Sequence, residues 1–300
     1  MIVDCHTQAW ASEEQLGQIG PQVAAWMRLQ PDAARSFERE RHPVAEPVDR
    51  AIVLGFRSRY LGVDIPNEFI AQYVGRHSEQ LIGFAGIDPT ESDAVDQLQR
   101  AREELGLVGL VISPGAQDFH PMDTAAMQIY ELAQRWSMPM LVIHSEPFTH
   151  GSKAVYAQPM LWDEVCTEFP DMKVILGSMA LPSVRETAWL VGKHENLFAD
   201  ISGLFNHPWM MYTALVWAQE LGAIDKLLFG SGFPFRIASD GIEALYRLHQ
   251  MVAGSNFPAV PRQKLQSIVE RDTLRLLGLG GAEETNSDSA TGSLIGDNET

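Results

Sequence analysis

Eight short apolar or β-branched runs, each separated from the next by a segment long enough for a helix, constrain this chain more than anything else in it. They fall at residues 2–3, 51–54, 82–87, 108–112, 140–143, 174–176, 197–199 and 227–229. Runs this short suit strands better than helices. Strands that alternate with helices are parallel, because a helical crossover carries the chain back to start the next strand in the same direction. Eight such units predict a closed (β/α)8 barrel.

The intervening segments have helical starts. Asp93 precedes Val95, Leu98, Ala101 and Leu105 at helical spacing, and Asp123-Thr124 lead into Met127, Tyr130, Leu132 and Trp136. Asp163 and Glu164 open turns that end at Phe169-Pro170, and Pro182 stands where a first-turn proline is tolerated, ahead of Trp189-Leu190. Met127, Trp136, Trp189 and Trp217 sit at core spacing and are expected inside. One interval breaks the pattern. Some 45 residues separate the first two runs, with a predicted helix near residues 13–29 and a proline-containing stretch at 41–47. That length predicts a lid or an oligomer contact over the barrel mouth.

Residues 1–279 are expected to form the barrel and 280–300 a disordered tail. The tail is rich in Ser, Thr, Asn and Gly, with Glu283, Glu284, Asp288, Asp297 and Glu299 and no basic residue. Such a segment cannot bury enough apolar surface to offset its ordering entropy. The formal charge of −17 argues against nucleic acid or an anionic membrane as partner. Two distant cysteines, Cys5 and Cys166, fit a reducing compartment rather than a disulfide framework. No secretory leader opens the sequence and no run is long enough to span a bilayer, so a soluble cytoplasmic protein is expected.

In a barrel of this kind chemistry sits at the C-terminal ends of the strands. The first run leads into Asp4-Cys5-His6-Thr7-Gln8, a carboxylate and an imidazole of the kind that begins a metal site. The fifth ends in His144-Ser145-Glu146, the sixth in Gly177-Ser178, the seventh in Asp200 with Ser202, and the eighth in Gly230-Ser231-Gly232. Asp4, Glu146 and Asp200 are the candidate catalytic carboxylates. Together with His6 and His144, Glu146 and Asp200 would suit a divalent metal chemically. The competing role for Asp4 and Asp200 is to hold backbone N–H groups. Cys5 alternates with Asp4 and His6 and is expected to be a buried small residue.

The chain resembles the amidohydrolase-related barrels of the aminocarboxymuconate-semialdehyde decarboxylase type over most of residues 1–279. The resemblance is carried by Ile65-Pro66-Asn67-Glu68, Ile82-Gly83-Phe84-Ala85-Gly86-Ile87-Asp88-Pro89, Ser113-Pro114-Gly115, Phe119-His120-Pro121 and Phe169-Pro170-Asp171. Asn196-Leu197-Phe198-Ala199-Asp200, Leu228-Phe229-Gly230-Ser231 and Arg275-Leu276-Leu277-Gly278-Leu279 complete it in order. The resemblance implies one divalent metal held by two strand-one histidines, a strand-five histidine and a strand-eight aspartate, with another histidine after strand six. His6 and His144 match two ligands. Gln8, Ser178 and Gly232 stand where the other histidines and the aspartate belong, and Val111 where many relatives carry lysine.

A catalytic zinc uses three strong protein ligands, and its task is to lower the pKa of bound water from about 15.7 toward about 7. Losing a positioned general base removes a further ~10²–10⁴ in rate. The sequence therefore predicts a family member that binds a small molecule in its mouth and serves as a regulatory or oligomer-partner protein. It is expected to be a homodimer or a hetero-oligomer with an active relative, and to hold no cofactor. The alternative is a metal-dependent hydrolase or decarboxylase of a small carboxylated substrate, using zinc, iron or manganese at an altered site around His6 and His144.

Overall fold

The computed structural model describes residues 1–29, 44, 47–144 and 151–280. Eight parallel strands form one sheet in sequential order. They are β1 (Val3–Gln8), β2 (Arg50–Leu54), β3 (Leu81–Gly86), β4 (Gly109–Ile112), β5 (Met140–Val142), β6 (Val174–Leu176), β7 (Leu197–Asp200) and β8 (Leu227–Leu228). The circle closes between its last and first strands. Cys5 N–H donates to the Phe229 carbonyl at 3.0 Å, Gly232 N–H to His6 at 3.0 Å and Gln8 N–H to Phe233 at 2.8 Å. The architecture is the expected (β/α)8 barrel; seven predicted strands lie within a residue of their expected bounds, while the first, expected at residues 2–3, runs on to Gln8.

The strands are buried on both sides, which is why they read as continuous apolar runs rather than alternating ones. Leu54, Phe84, Val111, Leu141, Ile175, Ala199 and Leu228 are all solvent-free. Helices, most of them amphipathic, cover the outside, among them α1 (Gly20–Leu29), α2 (Asn67–Gly75), α3 (Ala94–Glu103), α4 (Thr124–Arg135), α5 (Trp162–Glu168), α6 (Val184–Lys193), α7 (Pro208–Glu220) and α8 (Ala238–Arg247).

Several expectations need correction. Pro182 precedes α6 rather than lying in its first turn; Ser183 stands at the N-cap position without a side-chain capping bond. Trp189 and Trp217 are on the surface, 45% and 37% exposed, with Lys193 over the first ring and Arg185 over the second. Cation stacking lets large indoles remain wet at helical positions that periodicity alone assigns to the core. The predicted helix at 13–29 is broken: Glu13–Ile19 is a 3-10 segment with a kink at Gly17, and α1 follows it. A short hairpin, Arg57–Ser58 with Val63–Asp64, was not foreseen. It meets the 3-10 segment, where Gln18 N–H donates to the Leu61 carbonyl at 2.9 Å. Residues 281–300, assigned to the tail, lie outside the described residues, as does most of the 41–47 stretch. Among the described residues no helix is long and apolar enough to cross a membrane.

Candidate functional site at the barrel mouth

β1 does not alternate regularly along its length. Asp4 pairs with Ala51 and Thr7 with Val53, so three steps on β1 face two on β2, a bulge spanning Cys5 and His6. Bulges re-aim side chains, and this one lies where the first candidate ligand leaves the strand. The His6 ring turns toward β7. Its Nδ1 meets Asp200 Oδ2 at 2.8 Å and Ser202 Oγ at 3.2 Å.

Asp200 is the hub of the site. Its Oδ1 accepts from Ser178 N–H at 3.1 Å, Ser202 N–H at 2.9 Å and the Ser202 hydroxyl at 2.6 Å. Ser178 Oγ accepts from Gly203 N–H at 2.9 Å and lies 2.9 Å from Ser202 Oγ. These contacts set the direction of each proton: Gly203 to Ser178, Ser178 to Ser202, Ser202 to Asp200. His6 Nδ1–H then donates to Asp200 Oδ2, and Nε2 is left for the cleft. Burial disfavours the Asp200 carboxylate, but His6 and the Ser202 contacts outweigh it and hold its pKa below the usual range. Burial likewise opposes protonation of His6, and Asp200 reverses it, raising the His6 pKa.

The turn that carries Ser178 is strained. Ser178, Met179 and Ala180 have φ of 51°, 50° and 47°. Left-handed backbone costs a non-glycine residue roughly 1–2 kcal/mol. Hydrogen bonds from Ser178 N–H to Asp200 and from Gly203 N–H to Ser178 Oγ hold the turn in place.

Asp4 and His144 flank the hub. Asp4 Oδ1 accepts from Ser231 N–H at 2.8 Å and His6 N–H at 3.3 Å, while Oδ2 is buried without a partner. Burial raises the Asp4 pKa to about 6, against the opposing effect of the Ser231 contacts. Asp4 thus holds backbone N–H groups on both sides of the β8–β1 seam. His144 Nδ1 lies 3.1 Å from the Val142 carbonyl, which makes it the protonated nitrogen; Nε2 is buried and has no partner. Burial lowers the His144 pKa to about 4. Cys5 is solvent-free, and burial together with Asp200 and Asp4 pushes its thiol well above the ordinary range, so it behaves as a core residue. Glu146 and Ser145 lie outside the described residues.

The orphaned Nε2 of His144 is the observation that most favours a metal. The other donors do not join it. Asp200 spends both oxygens on hydrogen bonds, Asp4 spends Oδ1 on Ser231 and His6 and leaves only Oδ2 unpartnered, Gln8 offers only an amide and Gly232 offers nothing. Among the described residues, no group of three or more His, Cys, Asp or Glu side chains could hold a metal ion. The described donor set does not fit the single-metal centre that the resemblance implies.

The cleft above these residues is lined by His6, Gln8, Ser202, Ser231 and Gly232, and on its far side by Trp26, Leu181, Asn206, Phe235 and Arg236. It encloses about 470 Å³, its open side included. Trp26 comes from α1, so the strand-one insertion does reach the mouth, and its ring meets Phe235 edge to face at 5.9 Å. The sequence did not single out Trp26, Asn206 or Arg236. None of them directly follows a strand; the available signal was an arginine set in the apolar run Phe233-Pro234-Phe235-Arg236-Ile237.

A family model described as amidohydrolase matches residues 3–278. No curated protein matches the sequence. Among solved structures, an uncharacterized TIM-barrel protein from Bordetella bronchiseptica superposes with a TM-score of 0.69 at 19% identity, over 93% of this chain and 98% of that one. A dihydroxybenzoic acid decarboxylase from Polaromonas sp. JS666, with bound manganese and the inhibitor 2-nitroresorcinol, gives 0.60 at 16% identity over 95% and 99%. The 4-oxalomesaconate hydratase from Rhodopseudomonas palustris gives 0.60 at 14% over 93% and 96%. At these identities the structural likeness speaks for the fold.

Proposed function

Because the chain belongs to the amidohydrolase family, we propose that it is a barrel whose mouth binds a small molecule without the metal-dependent chemistry of that family. The observation that carries this reading is the hydrogen-bond state of Asp200. A carboxylate whose Oδ1 accepts from Ser178 and Ser202 and whose Oδ2 accepts from His6 is engaged as a hydrogen-bond hub rather than left open as a ligand. Gln8 and Gly232 remove the two further donors that a ligand sphere would need beside His6 and His144. A regulatory role in complex with a second copy or an active relative belongs to the same proposal and is read from its mass in solution.

Metal analysis of the purified full chain tests the reading. No stoichiometric metal is expected, and chelator should leave the melting temperature unchanged. One tightly held zinc, iron or manganese per chain overturns it.

A second reading is favoured by the buried, unpartnered Nε2 of His144 and by the Nε2 of His6 left toward the cleft. Both offer a nitrogen that a reacting group could use, with His144 the weaker base because burial lowers its pKa to about 4. Some structural neighbours carry decarboxylase and hydratase names, so on this reading the chain is a hydrolase or decarboxylase of a small carboxylated substrate. His6→Ala and His144→Ala then abolish turnover, and activity surviving both changes rules it out.

A further inference from the structure

α7 differs from the other outer helices. No charged residue occurs from Pro208 to Gln219, and its inward side fills the core with Met211, Tyr212, Leu215 and Ala218. Its outward side is apolar as well. Trp209 is 60% exposed, Trp217 is exposed, and Met210 and Val216 beside them are half-buried. A helix that is apolar on every side is ordinarily covered on every side. Here one side faces water.

The apolar surface continues past the helix. Phe257 is as exposed as Trp209 and meets its ring edge to face at 6.5 Å. The Phe257 loop is tied to α7 by the Tyr212 hydroxyl, which donates to the Pro258 carbonyl at 2.7 Å. α6 packs alongside α7; Arg185 reaches over the Trp217 ring at 6.0 Å, and Lys193 lies over the exposed Trp189. At these exposures the four rings leave roughly 300–500 Å² of aromatic surface in water, about half of what one partner contributes to an interface of standard size. Apolar surface of this extent marks a contact site, and tryptophan with arginine is the composition that dominates such contacts.

The charge pattern favours a second copy as the occupant. The chain carries a formal charge of −17, so two copies repel each other over most of their surfaces. On this face the signs nearly balance: Arg185 and Lys193 stand beside Glu186, Glu220 and Asp163. A twofold axis sets the face against itself, which brings the cations of each copy into the same contact as the carboxylates of the other.

We propose that α6 and α7 form an isologous dimer face, on which Trp189, Trp209, Trp217 and Phe257 of one copy pack against the same surface of a second. The proposal rests on the reading of the chain as one member of a complex and adds which partner and which surface; it is independent of what the mouth binds.

Sedimentation velocity of the full chain at micromolar concentration provides the test. Wild type is expected to run at twice the mass of the single chain. Trp209→Glu, Trp217→Glu and Phe257→Glu each weaken the pair by about thirtyfold or more, the size of an interface hot spot. Val155→Glu, at a residue equally exposed elsewhere, leaves the pair intact. Melting curves establish that each variant is folded. Hydroxyl-radical footprinting of wild type needs no variant: in the dimer Trp189, Trp209 and Trp217 should react more slowly than their exposure in the single chain predicts. A wild type that stays monomeric overturns the proposal, as do assemblies that grow past a pair. A dimer that survives all three changes, or whose three tryptophans react fully, overturns this face while the reading of the chain as a partner of its own copy stands.

Discussion

Asp4 is a carboxylate that the fold keeps for its geometry and pays for in ionisation. Its pKa is raised from 3.8 to about 6 by burial. A group whose folded pKa lies above its unfolded value binds protons more readily in the native state. The stability it contributes is therefore full below about pH 4, falls as pH rises toward 6 and stays low above that. Asp4→Asn keeps an acceptor for Ser231 N–H and His6 N–H and removes the buried charge. It should stabilise the protein by about 1–3 kcal/mol at pH 7, with the gain vanishing near pH 4. Denaturant melts across that range decide the point, and a gain independent of pH excludes the assignment. At this scale the sequence was only partly legible. His6, His144, Asp4 and Asp200 could be nominated from their places after the strands, but their partners could not. Asp200 is 194 positions from His6, and a bulge at Cys5 and His6 that alternation does not foresee sets where the ring points.

At the scale of elements, the strand-one insertion meets the hairpin backbone to backbone, at Gln18 with Leu61 and at Gly17 with Gly62. Gly17 has φ of +49°, and a Cβ there would lie 2.1 Å from the Gly62 carbonyl oxygen. Only a residue without a side chain lets the two chains approach so closely. Gly17→Ala should cost about 2–4 kcal/mol and loosen the insertion before the barrel. Faster amide exchange at Gln18 than at β-strand amides would reveal it; uniform destabilisation would indicate that the insertion is no separate unit. The eight strands were legible because both faces are buried and the apolar runs are unbroken. The insertion was not, because its kink answers to a carbonyl 45 positions away in the chain. The exposed Trp189 and Trp217 were misjudged for a similar reason: a period reports a face of a helix but not whether a cation covers it.

The molecule as a whole keeps its scaffold at positions such as Asp4, Asp88 and Asn67, where side chains hold backbone groups, while Gln8 and Gly232 lack the donors the resemblance implies. Asn67 exchanges two hydrogen bonds with Gly86, and Asp88 accepts from Arg59 N–H and Thr90. If Gln8 and Gly232 are what keep a metal from binding in the proposed reading, Gln8→His with Gly232→Asp should raise zinc affinity about tenfold or more over wild type. Equilibrium dialysis measures this, and zinc bound equally by both proteins would count against the substitutions being decisive.

The barrel closes at the same place where its cleft opens. The hydrogen bonds of Cys5 to Phe229, Gly232 to His6 and Gln8 to Phe233 join a two-residue last strand to the first, and His6, Gln8 and Gly232 also line the cleft. An occupant there works as a clasp across the joint of the cylinder. Its arrival should slow hydrogen exchange at the amides of Cys5, Gln8 and Gly232 while leaving the joints between middle strands untouched, so occupancy can be followed without any turnover.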